Sequence, residues 1–196
     1  MFIRLHLTDV KELSLHPVTV AAAAGAMAAS LLLVAGGDGL LGAGLAALMV
    51  LISAIDLARY TIPDALSVPA FAFGLVHVAL HSGDVIAAAT AAAAMRGIVL
   101  ALFFWSLRLG YRWLRGRDGL GLGDIKLAAV AGAWLSWPVV PLAVDIAAVS
   151  ALVVYGIRQY LLRRPWQPSA RLPFGAFLGP AIWLGWIFET AILGKM

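Results

Sequence analysis

Asp124 closes the run Gly119-Leu120-Gly121-Leu122-Gly123 and is followed by Ile125-Lys126-Leu127, which puts a carboxylate and an ammonium at the mouth of an apolar stretch. Ionisable groups at such positions are costly in hydrocarbon and mark functional sites. A second carboxylate, Asp56, ends another apolar stretch 68 positions earlier. If the two meet, both cannot ionise comfortably, so one holds a proton while the other takes one from water. That is the apparatus of aspartic peptide hydrolysis, in which the ionised acid is the general base and its protonated partner polarises the scissile carbonyl. Such a pair titrates as a unit. The glycines before Asp124, Gly121 and Gly123 above all, let an extended peptide approach without side-chain obstruction. The same spacing equally fits an interhelical loop with an Asp cap, and Asp56 equally fits an interfacial residue facing headgroups.

The elements that must position these acids follow from composition. Of 196 residues, 63% are hydrophobic and 12% charged, where soluble domains carry about 25% charged residues. The expected fold is all-α, a polytopic membrane bundle, because a helix satisfies its own backbone in lipid. Apolar spans are predicted at Pro17 to Ala35, Leu40 to Ile55, Ala65 to Leu80, Val85 to Leu107, Ile125 to Trp137, Val139 to Tyr160 and Leu172 to Leu193. That gives about seven transmembrane helices, with six as the alternative. Turn-forming clusters separate them, among them Gly36-Gly37-Asp38-Gly39, Thr61-Ile62-Pro63-Asp64 and Ser136-Trp137-Pro138. The fifth span is short, which fits Asp124 lying below the headgroups. One transmembrane domain is expected over residues 1–196, with residues 17–35 an additional N-terminal helix before a catalytic core at 40–193. The first span reads as a retained anchor, since Asp9 and Glu12 precede it.

Seven alternating crossings place twelve of the fourteen Lys and Arg on the side of the N-terminus, all except Arg96 and Lys195. By the positive-inside rule that side is cytoplasmic. The basic residues are therefore topological, and nucleic acid is not an expected partner despite a net charge of +4. Asp56 and Asp124 then fall at the same cytoplasmic depth. Cys is absent, which excludes disulfides, thiolate zinc sites and a Cys nucleophile.

Other residues have chemistry of their own. Asp64 fits a cap on the third span, and Lys126 fits either contact with the acid pair or snorkelling to lipid phosphate. His77 and His81 share a helical face at metal-ligand spacing, but the Glu of a His-Glu-x-x-His protease is missing and they lie away from both acids, so no metal is expected. Arg96, inside the fourth span, is expected to pair with Asp145 of the sixth.

Taken in order, Ile55-Asp56, Ile62-Pro63-Asp64-Ala65-Leu66 with Pro69, Gly116-Arg117-Asp118-Gly119-Leu120-Gly121-Leu122-Gly123-Asp124-Ile125-Lys126-Leu127, and Pro173-Phe174-Gly175 resemble the type IV prepilin peptidase family. Its members are polytopic Gly-x-Gly-Asp aspartic proteases. The resemblance implies that Asp56 and Asp124 are the catalytic acids. Gly121, Gly123, Lys126, Asp64, Pro173, Phe174 and Gly175 would bind substrate or support the site. It further implies removal of a short basic leader, after a Gly, from pilin-like precursors at the cytoplasmic face of the bacterial inner membrane, with no cofactor. Precursor proteins and membrane lipid are the implied partners. Larger members carry a Cys-containing loop domain and methylate the new N-terminus; without Cys, methyl transfer is not expected. Asp118 stands where a Glu is common. The compact form resembles peptidase-only members. The competing reading is an ion- or proton-coupled transporter with acids at broken helices near the midplane.

Overall fold

The computed structural model of the chain describes residues 16–34, 36–163 and 172–192. They form seven α-helices: α1 (Pro17–Leu33), α2 (Gly37–Arg59), α3 (Asp64–His81), α4 (Ile86–Arg115), α5 (Leu122–Trp134), α6 (Val139–Leu161) and α7 (Gly175–Ile187). A 3-10 turn, Gly83–Val85, leads into α4, and a π-helical turn, Phe188–Ile192, extends α7. Each predicted span holds one helix. Five are long and apolar enough to cross a membrane: α2, α3, α4 with its leading turn, α6, and α7 with its π-helical end. Two fall short, α1 with 17 residues and α5 with 13. The protein is a polytopic helical membrane protein. Asp9, Glu12, Arg4, Lys11, Arg164, Arg171 and Lys195 lie outside the described residues.

Element boundaries follow local chemistry. Gly36, at φ 74°, turns the chain into α2. Tyr60 ends α2 in the left-handed region at φ 55° and donates its N–H to the Asp56 carbonyl at 2.8 Å. This closes the helix one turn beyond Asp56. Pro63 then fixes the extended entry to α3. Gly116, at φ 68°, ends α4 and starts the glycine-rich connection to α5.

Helix α5 is the centre of the molecule. Nine of its thirteen residues are buried, on every side of the helix, which is the pattern of a core helix and not of a lipid-facing one. It packs against α3, α4 and α7, while α7 also packs against α2 and α6. Leu45, Met49 and Ile52 of α2, Leu127 and Val130 of α5, and Leu178 and Ile182 of α7 fill the core. Small residues allow the closest crossings. A Cβ on Gly132 of α5 would sit 2.6 Å from Cα of Gly97 on α4, and one on Gly179 of α7 would sit 2.9 Å from Ser53 Oγ of α2. Membrane helices associate in this way because close backbone packing replaces a hydrophobic drive that lipid removes. The outward faces of α4 and α6 carry Ile98, Leu102, Phe103, Val149, Leu152 and Val153, all exposed to what would be lipid.

Arg96 does not pair with Asp145. Helices α4 and α6 share no substantial contact, and Asp145 faces outward. The Arg96 Nε instead donates to the Gly132 carbonyl of α5 at 2.7 Å, within the field of Glu189. Glu189 in turn accepts the Ser136 N–H at 3.0 Å, so the residues beyond α7 clamp the α5–α6 turn. Sequence distance misled here: which of several acids a buried Arg meets depends on which helices neighbour each other.

Candidate active site

Three chain segments meet at one end of the bundle: the last turn of α2, the first turn of α5 and the first turn of α7. Asp56 and Asp124 are both buried there, at 6% and 7% exposure. Asp56 Oδ2 accepts the Ala176 N–H at 3.0 Å. Asp124 Oδ2 accepts the Gly121 N–H at 3.1 Å, from one turn earlier in its own helix. Gly175 borders Asp56, a Cβ there falling 3.0 Å from Asp56 Oδ2, and Asp124 lies within the electrostatic field of Asp56. The unsatisfied N–H groups at the start of α7 thus point at the pair, where the helix dipole favours negative charge.

Asp124 is not an N-cap in the ordinary sense. It occupies the third helical position and reaches back to the N-cap residue's amide, the half of a capping box that an acidic side chain supplies. Gly121 has no side chain with which to accept the Asp124 N–H, so only this half of the box is made, through one carboxylate oxygen. The capping alternative raised by the spacing is met in this form, and Asp124 also lies within the field of Asp56.

The glycines differ in what they accommodate. A Cβ on Gly123 would come 2.8 Å from Ile62 Cγ1, and one on Gly175 would come 2.5 Å from Ile62 Cδ1 and 3.0 Å from Asp56 Oδ2. Ile62 is thus wedged between the two glycines and against the acids. Gly119 lies on the Tyr111 ring of α4. Pro173 shares the Ala176 N–H through its carbonyl at 3.2 Å, and Phe174 packs on the core at the head of α7.

Lys126 and Asp64 stand beside the pair and not in it. Lys126 Nζ lies 2.6 Å from Asp64 Oδ1 and donates to the Ile62 carbonyl at 3.3 Å. Asp64 makes no side-chain cap on α3; Pro63 holds the N-cap position, and the Asp64 carboxylate turns to Lys126 instead. The lysine thereby ties α5 to the loop that carries Ile62.

Two residues with a part in this geometry were not singled out from sequence. Arg108, near the end of α4, donates to the Leu120 carbonyl and to Asp118 Oδ2, the latter at 2.7 Å, and so holds the glycine run against α4. Its charge also reaches Asp124. In the sequence it is one of several basic residues at a helix end, and the ten-residue step to Asp118 is its one available signal. Ile62 stands in the motif Ile62-Pro63-Asp64-Ala65-Leu66, but its residue type gives no sign of a place against the glycines.

A family model described as the type IV leader peptidase family matches residues 43–157. A prepilin leader peptidase/N-methyltransferase from Burkholderia pseudomallei is 38% identical over 158 residues, covering 80% of this chain and 49% of that protein. One from Aeromonas salmonicida is 36% identical over 146 residues, covering 74% and 47%. The leader peptidase HopD from Escherichia coli is 35% identical over 153 residues, covering 76% of this chain and 93% of that protein. The chain spans about half the length of the first two relatives. No solved structure matches it.

Proposed function

The chain belongs to the type IV leader peptidase family, and on that premise we propose that it is a membrane-embedded aspartic endopeptidase that removes the leader from type IV pilin-like precursors. The observation that carries the reading is the convergence of Asp56, buried at the end of α2, and Asp124, buried at the start of α5, at the head of α7. The pair shares one proton. Its ionised member deprotonates water, the hydroxide attacks the scissile carbonyl, and the protonated member donates to the developing oxyanion. Collapse of the tetrahedral intermediate returns a proton to the amine that leaves. The Ala176 amide holds the Asp56 carboxylate, and the Gly121 amide that of Asp124, in place throughout.

The glycine run Gly119 to Gly123, whose last two residues open α5, is the proposed approach for the substrate backbone, with cleavage after a Gly of the precursor. Of the nine described Lys and Arg, eight lie at the end of the bundle that holds the acids, Arg96 being the exception. By the positive-inside rule this supports a site facing the cytoplasm, in a bacterial inner membrane. A basic leader would be released on that side while the apolar pilin helix stays in the bilayer. Helix α1 precedes the residues matched by the family model and is proposed as an accessory helix, held to α7 by Trp183 Nε1 donating to Ser30 Oγ at 2.9 Å. Methyl transfer is not assigned to this chain. A transporter would need its acids near the midplane, whereas Asp56 is one turn from the end of α2.

Co-expression with a prepilin, followed by mass spectrometry of the precursor, tests the reading. Wild type is expected to remove the leader, and Asp56→Asn and Asp124→Asn to leave it intact. Cleavage that survives both substitutions sinks the mechanism.

A further inference from the structure

At the opposite end of α2 and α3, some 27 Å along α2 from Asp56 at 1.5 Å per residue, a second cluster of chemically capable groups has no part in peptide hydrolysis. Asp38, in the first turn of α2, meets His77 and His81, in the last turns of α3. Asp38 Oδ1 lies 3.5 Å from His77 Nε2 and 2.8 Å from His81 Nε2, and one ligand atom from each of the three residues falls within 4.8 Å of the others. For bonds of about 2.0–2.1 Å at a tetrahedral ion, donor atoms stand roughly 3.4 Å apart. The two Asp38–His separations, 3.5 and 2.8 Å, fall on either side of that edge length.

Hydrogen bonding makes the case sharper. The His81 Nδ1 faces the His77 carbonyl at 2.7 Å, which sets that nitrogen as the N–H donor. Its Nε2 then presents a lone pair to the Asp38 carboxylate, a contact that needs a cation between the two or a second proton on the ring. An imidazole whose far nitrogen is fixed by a backbone carbonyl is the usual arrangement of a metal-bound histidine. His77 is held flat against Trp134, with ring centroids 5.2 Å apart and 28° between planes, and edge-on to Trp186. Both of its ring nitrogens are shielded from solvent without a hydrogen-bond partner. Buried polar atoms left in that state are rare and call for an unseen partner.

We propose that Asp38, His77 and His81 bind a divalent transition-metal ion of the zinc class, which cross-links the start of α2 to the end of α3. Two imidazoles select zinc-like ions over magnesium or calcium. Three protein ligands leave a fourth position for water, reached through His81, whose side chain is 49% exposed. The spacing of His77 and His81 on one helical face was visible in the sequence. The third ligand was not, because it comes from a glycine-rich turn 39 positions before His77.

The full-length chain, purified in detergent and stripped with a chelator, is titrated with Co2+ and followed by visible d–d absorption, with Zn2+ then added in competition. The expected result is saturable tetrahedral absorption at one ion per chain, displaced by Zn2+, with affinity lowered more than about tenfold in Asp38→Asn and in His81→Ala. Zn2+ is also expected to raise the Tm of wild type but of neither variant. A measurement on wild type alone covers variants that fail to fold: Zn2+ should protect His81 from diethyl pyrocarbonate while the exposed His16 stays reactive. No absorption from wild type, equal affinity in the variants, or unprotected His81 overturns the site and leaves a protonated His81–Asp38 ion pair as the account of the contact. Leader cleavage is not used as a readout, so failure here is separate from failure of the peptidase reading.

Discussion

Gly175 has room for no side chain, because a Cβ there would meet Ile62 Cδ1 at 2.5 Å and Asp56 Oδ2 at 3.0 Å. Gly175→Ala should therefore lower kcat by displacing the carboxylate, at an overpacking cost of about 1–3 kcal/mol. Ile62→Val removes the nearest clashing methyl, so the double variant should recover activity relative to Gly175→Ala. Steady-state cleavage of a prepilin peptide in a double-mutant cycle measures the coupling; strictly additive losses would count against Ile62 as the wedge. The acid pair itself is expected to give a bell-shaped dependence of kcat/KM on pH, since activity is lost both when the two carboxylates are protonated and when both are ionised. The two limbs belong to the pair and not to either residue. Lys126→Ala should leave the shape of that profile in place, because its partners are Asp64 and the Ile62 carbonyl. With Asp64 largely exposed, the pair is worth under about 1 kcal/mol.

Between helices, a contact of backbone on backbone is the one least able to adjust. A Cβ on Gly132 would meet the Gly97 backbone at 2.6 Å, and one on Gly97 would meet the Ala129 carbonyl at 2.8 Å, so no side-chain rotation relieves either. Gly132→Ala should lower Tm in detergent and reduce cleavage together, because α5 carries Asp124 and must shift as a body away from α4. Gly110→Ala, on the same α4 but with open space around it, is the control expected to change neither. Arg108 works at this scale too, by fastening the connection between α4 and α5 through the Leu120 carbonyl and Asp118. Its replacement by Ala should raise KM more than it lowers kcat if the glycine run guides the substrate, which initial-rate kinetics will separate.

For the whole molecule, the distribution of charge makes a topological prediction. The chain has no Cys, so single cysteines report sidedness without background. Arg117→Cys, beyond the end of α4, should react with a membrane-impermeant thiol reagent only from the cytoplasmic side, and Asp84→Cys, before α4, only from the opposite side. Both positions are exposed. Labelling in the reverse sense would remove the argument for a cytoplasmic site while leaving the acid pair intact.

The amino-acid sequence by itself determined the class of fold, the approximate limits of seven helices, and the two acids worth testing. Hydropathy and turn residues are local properties, and the motifs around Asp56 and Asp124 are contiguous in the chain. Only tertiary structure decided the pairings. It gave Arg96 to the Gly132 carbonyl and not to Asp145, Asp64 to Lys126 and not to a helix cap, Ile62 to the gap between two glycines, and Asp38 to His77 and His81. The physical reason is the same each time. Membrane helices are alike in composition, so their neighbours are selected by close packing at small residues such as Gly97, Gly132 and Gly179, and a side chain's partner is fixed only once those neighbours are known.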